Sequence, residues 1–371
     1  MAEPSVKGLG KSSPDVVEGN EVDRLSKLPD DVLLNIVERL DIADAARTTI
    51  LSRRWKQIPA ILSKLIIMVG SFQPNHESRK LTSDDIVRAN TTVLEATRSI
   101  LERRAGSPYT IHLLRMQFYL GDESIFIGQT VANTIATQKV ASVEFTIMTK
   151  VRKKITNNGL LTYGRQFMSF FDSCPNTFGG LARLTLENLR SQDGPFCLGY
   201  VPLLHTVTII NTGFAWHKML KFSELLGKTG ISNLHLDFRS EKVRDHLCEM
   251  ISGEQRKKFV FSEEKDNGLE WEPAPDFKHH NLAELRMYGR FRAQDNIVRF
   301  VRNVMEAAVN LEDIKLFKSP VCENCKHMLQ EWTLMEKSSL SHKLNMGMLS
   351  SNVQIQFPSL GKFRTWSKYC S

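Results

Sequence analysis

The sequence predicts an α+β, α/β-repeat fold: a small helical module at the N-terminus, an irregular solenoid of strands and helices, and a closing β-α-β unit. Three observations point there. A double apolar stripe runs through LPDDVLLNIVERLDIADAARTTILSRRW at positions 28–55. A six-residue frame (apolar, two variable, apolar, one variable, apolar) recurs from position 140 onward. Two of the later frames flank a single amphipathic helix.

Composition sets the outer limits. A chain of 371 residues, 42% hydrophobic and 24% charged, can bury a large core, and disorder is expected only at its ends. Residues 1–23 are polar, hold no apolar signal segment and predict a disordered tail. The longest strongly apolar run, LIIMV at 65–69, is far too short to span a bilayer, so no membrane association is expected. The six cysteines are scattered, unlike a secreted disulfide framework. A nuclear or cytoplasmic protein follows, in which the Asn90-Thr91-Thr92 sequon has no chemical consequence. The net charge of +8 raises nucleic-acid binding, but the densest basic run, KVRKK at 150–154, is short and no finger, zipper or RNA-binding signature accompanies it.

In the N-terminal module, Pro29 suits a helix start, with Asp30 and Asp31 where the helix dipole favours negative charge. Val32, Leu33, Ile36, Val37 and Leu40 follow at helical spacing. Asp41 and Asp44 are alternative caps for a second helix carrying Ala45, Ala46, Thr49 and Ile50, which ends in Ser52-Arg53-Arg54-Trp55. Some forty residues of this kind cannot bury such stripes alone, so something else, either a partner or the remainder of this chain, must complete the core.

These landmarks, LPDD, VLLNIVERLD and TTILSRRW in order, resemble the F-box. The resemblance implies docking onto the Skp-family linker of a Skp–cullin–F-box ubiquitin ligase and, through it, onto cullin. By the match, Leu28, Pro29, Val32, Leu33, Ile36, Leu40 and Trp55 would be buried against the linker, with residues 24–60 sufficient for binding.

The frames read VASVEF at 140, LARLTL at 181, the frame at 204, ISNLHL at 231, LAELRM at 282 and LEDIKL at 311. Three of their intervals match a leucine-rich repeat and two look roughly doubled. Stretches such as LTYGRQFMSFFDSCP and WHKMLKFSELLGKTG supply helical connections. The asparagine or cysteine usual after a leucine-rich strand is missing, which resembles the irregular repeats of plant F-box proteins. Between 231 and 282 either a repeat is missing or an insertion replaces it; KFVF is a candidate strand there. In the C-terminal unit, Ile297, Val301, Val304, Met305 and Ala308 form one helical stripe, and the strand–helix–strand pattern resembles the FBD domain. The expected organisation is thus a tail (1–23), an F-box (24–65), irregular leucine-rich repeats (66–272) and an FBD-like domain (273–371).

No motif calls for catalysis. GLGKSS at 8–13 lacks the first glycine of a phosphate loop, and neither G-x-S-x-G nor H-E-x-x-H occurs. Cys322, Cys325 and His327 have ligand-like spacing but lack a fourth zinc ligand, so neither metal nor cofactor is expected. The chain therefore reads as a non-catalytic substrate receptor, with an unidentified target protein held on the solenoid. A repeat-based binding module for nucleic acid, without a ligase role, is the rival. Strand alternation assigns the target face: Arg183, Thr185 and Glu187, then Thr206 and Thr208, then Asn233, His235 and Asp237, then Glu284, Arg286 and Tyr288 are expected to point outward.

Overall fold

A computed structural model describes residues 27–40, 42–48, 54–55, 57, 61–72, 82–149, 157–188, 198–199, 201–211, 225–227, 229–238, 277–289, 295–318, 331–346 and 352–359. Nine strands form one sheet in sequence order, every neighbouring pair parallel. They are β1 (Lys64–Met68), β2 (Leu113–Tyr119), β3 (Val143–Met148), β4 (Leu181–Glu187), β5 (Thr206–Asn211), β6 (Asn233–Phe238), β7 (Glu284–Gly289), β8 (Asp313–Lys318) and β9 (Gln354–Gln356). Parallel neighbours need crossover connections, and helices serve several of them. These helices are α3 (Ser83–Arg103), α4 (Glu123–Thr137), α5 (Asn157–Ser173), α6 (Pro175–Gly179) and α7 (Asp295–Ala307), with α8 (Leu334–Asn345) before β9. The N-terminal module contributes α1 (Asp30–Val37) and α2 (Ile42–Arg47).

All six sequence frames lie on strands β3 to β8, and their second and third apolar positions are buried, as at Leu184/Leu186, Val207/Ile209 and Leu285/Met287. Among the described residues the two long intervals add no strand to the sheet: β3 pairs directly with β4, and β6 with β7. The first long interval carries α5 and α6. KFVF lies outside the described residues, as do the N-terminal tail, the KVRKK run and Cys322, Cys325 and His327. The sheet extends past two of the three expected boundaries, since β1 spans 65/66 and β7, beyond 272/273, pairs with β6.

The helices start where capping chemistry permits. Thr82 and Asp85 form a capping box on α3, and Thr333 and Glu336 form another on α8. Along α3, Ile86, Ala89, Val93, Leu94, Ile100 and Leu101 face the sheet at helical spacing. Asn90 lies on the same face, fully buried; its amide donates to the Tyr119 carbonyl (2.8 Å) and its side-chain oxygen accepts from the Tyr119 N–H (3.0 Å). A sequon asparagine so engaged presents no amide to solvent.

Beneath β2 and β3, Phe118, Phe145, Phe170 and Phe178 pack mostly edge to face, with centroids 5.1–6.4 Å apart. Gly128 lets α4 approach this cluster: a Cβ there would fall 2.6 Å from Phe170 and 2.7 Å from the Cys174 sulfur. In α7, Val301, Val304, Met305 and the following Ala308 are buried as the stripe predicts.

The N-terminal module is welded to this core. Leu33, Val37, Ile42, Ala45, Trp55 and Leu62 belong to one continuous cluster with Leu65 and Ile67 of β1. Beside them, the fully buried Arg104 donates to the carbonyls of Leu62 (2.7 Å) and Tyr109 (3.2 Å), pinning the strand entry against the end of α3.

Candidate functional site

Two surfaces qualify. The first is on α1. Its stripe is two stripes: Leu33 and Val37, four residues apart, face the protein's own core, while Val32 and Ile36 lie one step round the helix. Val32 is 38% exposed, and Leu40, in the turn after α1, 39%. Leu28, Leu34 and Ile36 are half-buried, and Pro29 is exposed. Leu33 and Trp55 were expected to bury against a partner, but both already lie in the interior, Trp55 at 2% exposure. They brace the module; of the expected residues, Pro29, Val32 and Leu40 stay exposed and Leu28 and Ile36 partly so. Asp30 accepts two hydrogen bonds from Arg54 (3.0 and 2.6 Å), so the LPDD and SRRW landmarks close on each other.

The second surface is the polar face of the sheet. Register aligns its residues in rows: Arg115, Glu144, Arg183, Thr206, Asn233, Glu284 and Asp313 in one, and Gln117, Thr146, Thr185, Thr208, His235, Arg286 and Lys315 in the next. In the third row Glu187, Ile210, Asp237, Tyr288 and Phe317 follow one another. The residues assigned from alternation are thus brought together. They are less exposed than alternation implies: Thr185, Thr206, Thr208, His235 and Asp237 are buried, and Arg183, Glu187, Asn233, Glu284, Arg286 and Tyr288 are intermediate. Alternation gives direction, but long neighbours on adjacent strands cover the short side chains between them.

Charges on this face form two groups. In the first, Glu144 accepts from Arg115 Nε (2.7 Å) and faces Arg183 Nε (3.4 Å). In the second, Glu284 lies between Arg286, Lys315 and His235, the last at 3.5 Å. Asp313 takes Lys315 (3.1 Å) and the Gln356 amide (2.9 Å). Burial pushes the Glu284 carboxyl up, but hydrogen bonds from His235, Arg286 and Lys315 outweigh it and hold the group well below the usual carboxylate range. Tyr288 stacks on Phe317 with centroids 4.4 Å apart, and burial raises its phenol.

Burial pushes His235 below its ordinary 6.5, and the nearby Arg286 and Arg183 add to this against the pull of Glu284; burial does the same to His279. Both imidazoles therefore take up a proton less readily in the fold than in the unfolded chain, which protonates near 6.5. Their contribution to stability is present above that pH and is lost as pH falls toward the folded values. The melting temperature is expected to drop between about pH 7 and about pH 5, and His235→Gln to flatten the slope. A melting temperature independent of pH over that range in the wild type would remove this account.

The F-box domain family matches residues 25–65, which contain both helices of the first surface. The chain therefore carries an F-box, and the proteins it resembles are F-box proteins of a plant. It is 35% identical over 86 residues to F-box protein At1g80960 of Arabidopsis thaliana, 23% of this chain and 18% of that protein. Over 36 residues it is 56% identical to "Putative F-box protein At1g67390" of the same species, 10% of this chain and 8% of that one. The chain thus matches less than a fifth of the length of either relative.

Sequence reasoning missed β1, β2, Glu144 and Arg115. The signal was present, since Leu62-x-x-Leu65-x-Ile67 and Ile111-x-x-Leu114-x-Met116 both carry the frame that was followed only from 140 onward.

Proposed function

We propose that this chain is the substrate-recognition subunit of a Skp–cullin–F-box ubiquitin ligase, acting in the nucleus or cytoplasm. The observation that carries the reading is the pair of exposed aliphatic residues Val32 and Leu40, with half-buried Ile36 beside them, on an F-box whose Leu33, Val37 and Trp55 are already buried in the free chain. Solvent-facing aliphatic residues lined up on a domain of this class fit burial against a Skp-family linker, and through it attachment to cullin. Nine parallel strands in sequence order support reading the rest as an irregular leucine-rich-repeat solenoid, with β7-α7-β8 as its FBD-like part. The polar face would hold the target, and the contribution to ubiquitin transfer is proximity: tethering makes a rare encounter effectively intramolecular. The chain itself supplies no catalytic group in this scheme. No helix among the described residues is long and apolar enough to cross a membrane.

Calorimetry with a purified Skp-family linker tests the docking. The double variant Val32→Asp/Leu40→Asp is expected to weaken binding by roughly a hundredfold or more, because it buries two charges in an apolar contact. Its melting temperature should stay near that of the wild type, since both side chains are exposed in the free chain. Unchanged affinity in the double variant would overturn the assignment.

A further inference from the structure

The two charged groups on the polar face differ in how completely they are used. At the β6–β8 end, Arg286 grips Glu284 through both Nε and Nη2, and Lys315 is shared between Glu284 and Asp313. That end is internally neutralised. At the β2–β4 end two guanidiniums face one carboxylate, Glu144: Arg115 donates to it through Nε, while Arg183 Nε lies 3.4 Å from it without a hydrogen bond. Their Nη groups donate to none of the described residues. Arg115 and Arg183 keep 31% and 39% of their side-chain surface, against 13% for Glu144. A net positive charge with spare, forked donors is therefore left facing outward beside Thr146 and the buried Thr185. A bulge puts it there: pairing of β3 with β4 steps from Val143↔Leu181 to Glu144↔Arg183, so Ala182 is an extra residue that turns Arg183 toward Glu144.

We propose that Arg115 and Arg183 form an acceptor subsite for an acidic segment of the target protein, with carboxylates at alternate positions of an extended chain. Side chains two apart on such a chain point the same way at roughly 7 Å. The two arginines come from strands roughly 10 Å apart and lean toward a common centre, so the spacings match. Planar guanidinium forks bind carboxylates in paired hydrogen bonds, which an ammonium would not do as well. This inference rests on the reading of the polar face as the target face, but not on linker docking, which is measured separately.

The test uses the full chain and a fluorescein-labelled decapeptide of alternating Glu and Ser, read by anisotropy, with the Gln–Ser peptide as the neutral control. Binding is expected for the acidic peptide only. Arg183→Gln and Arg115→Gln should each weaken it roughly tenfold, while Arg98→Gln, which removes the same charge from exposed α3 surface, should leave it within about twofold. Glu144→Gln should tighten binding several-fold, because it removes the internal carboxylate that competes for both arginines; a merely structural role predicts no such gain. Linker affinity should be unchanged in all four variants, which separates failure here from failure of the docking assignment. Equal weakening by Arg98→Gln, no gain from Glu144→Gln, or no binding of the acidic peptide would overturn the proposal. So would tighter, Arg183-dependent binding of a single-stranded oligonucleotide, which would assign the subsite to nucleic-acid phosphates instead.

Discussion

Trp55→Ala is expected to destabilise the protein by about 3–5 kcal/mol, the cost of emptying a large aromatic site in a packed interior. Trp55 retains 2% of its surface and joins the same cluster as Leu33, Leu62 and Leu65, so the void opens where the F-box meets the sheet. Little can collapse into it, because Arg104 fixes Leu62 from one side and β1 is held in register with β2 from the other. Any loss of linker binding in this variant would follow from loss of folded F-box, and should recover at low temperature or on adding a stabilising osmolyte. Denaturant titration followed by far-UV circular dichroism measures the effect. A shift below about 1 kcal/mol would mean that Trp55 does not hold the module to the sheet. The same packing predicts that residues 24–60 alone, which lack Leu62, Leu65 and Ile67, fold less stably than the F-box in the full chain, which circular dichroism of the fragment would check.

The second large effect is expected at Asn90. Asn90→Leu keeps the branched shape, with somewhat greater bulk, but removes both hydrogen bonds to the Tyr119 backbone at the end of β2. The Tyr119 carbonyl keeps a bond from Ser124 Oγ (3.2 Å), so the N–H is the group left without its acceptor. A buried backbone donor stranded this way costs about 1–3 kcal/mol, and loss of the second bond brings the expected total to about 2–4 kcal/mol. Asn90→Asp, which still accepts but cannot donate, should recover part of the loss if its burial cost is modest. Stability of Asn90→Leu equal to the wild type in denaturant titration would show that water replaces the amide.

Periodicity made much of this readable. A frame of apolar residues at positions 1, 4 and 6 can only bury its fourth and sixth side chains together on a strand, and all six cited frames do so. Aliphatic spacing at i, i+4 likewise marks α1 and α7. What periodicity gives is a direction for each side chain relative to its own backbone, and nothing more. It treats Val32, Leu33, Ile36, Val37 and Leu40 as one stripe, and only packing shows that Leu33 and Val37 go to the core while Val32 and Leu40 stay exposed. It put His235 and Asp237 on the outward face, where they are, but their burial depends on what adjacent strands place beside them.

Strand identity, helix starts at Thr82 and Thr333, and the F-box landmarks were determined by the sequence itself, because each depends on residues within a few positions of one another. The tertiary structure alone decided that β6 and β7 lie side by side despite the long interval between their frames. It also decided the pairing of Arg115 and Arg183 on Glu144. Those residues are brought together by the lateral register of three strands and one bulge, and register is a property of how strands meet rather than of any one of them.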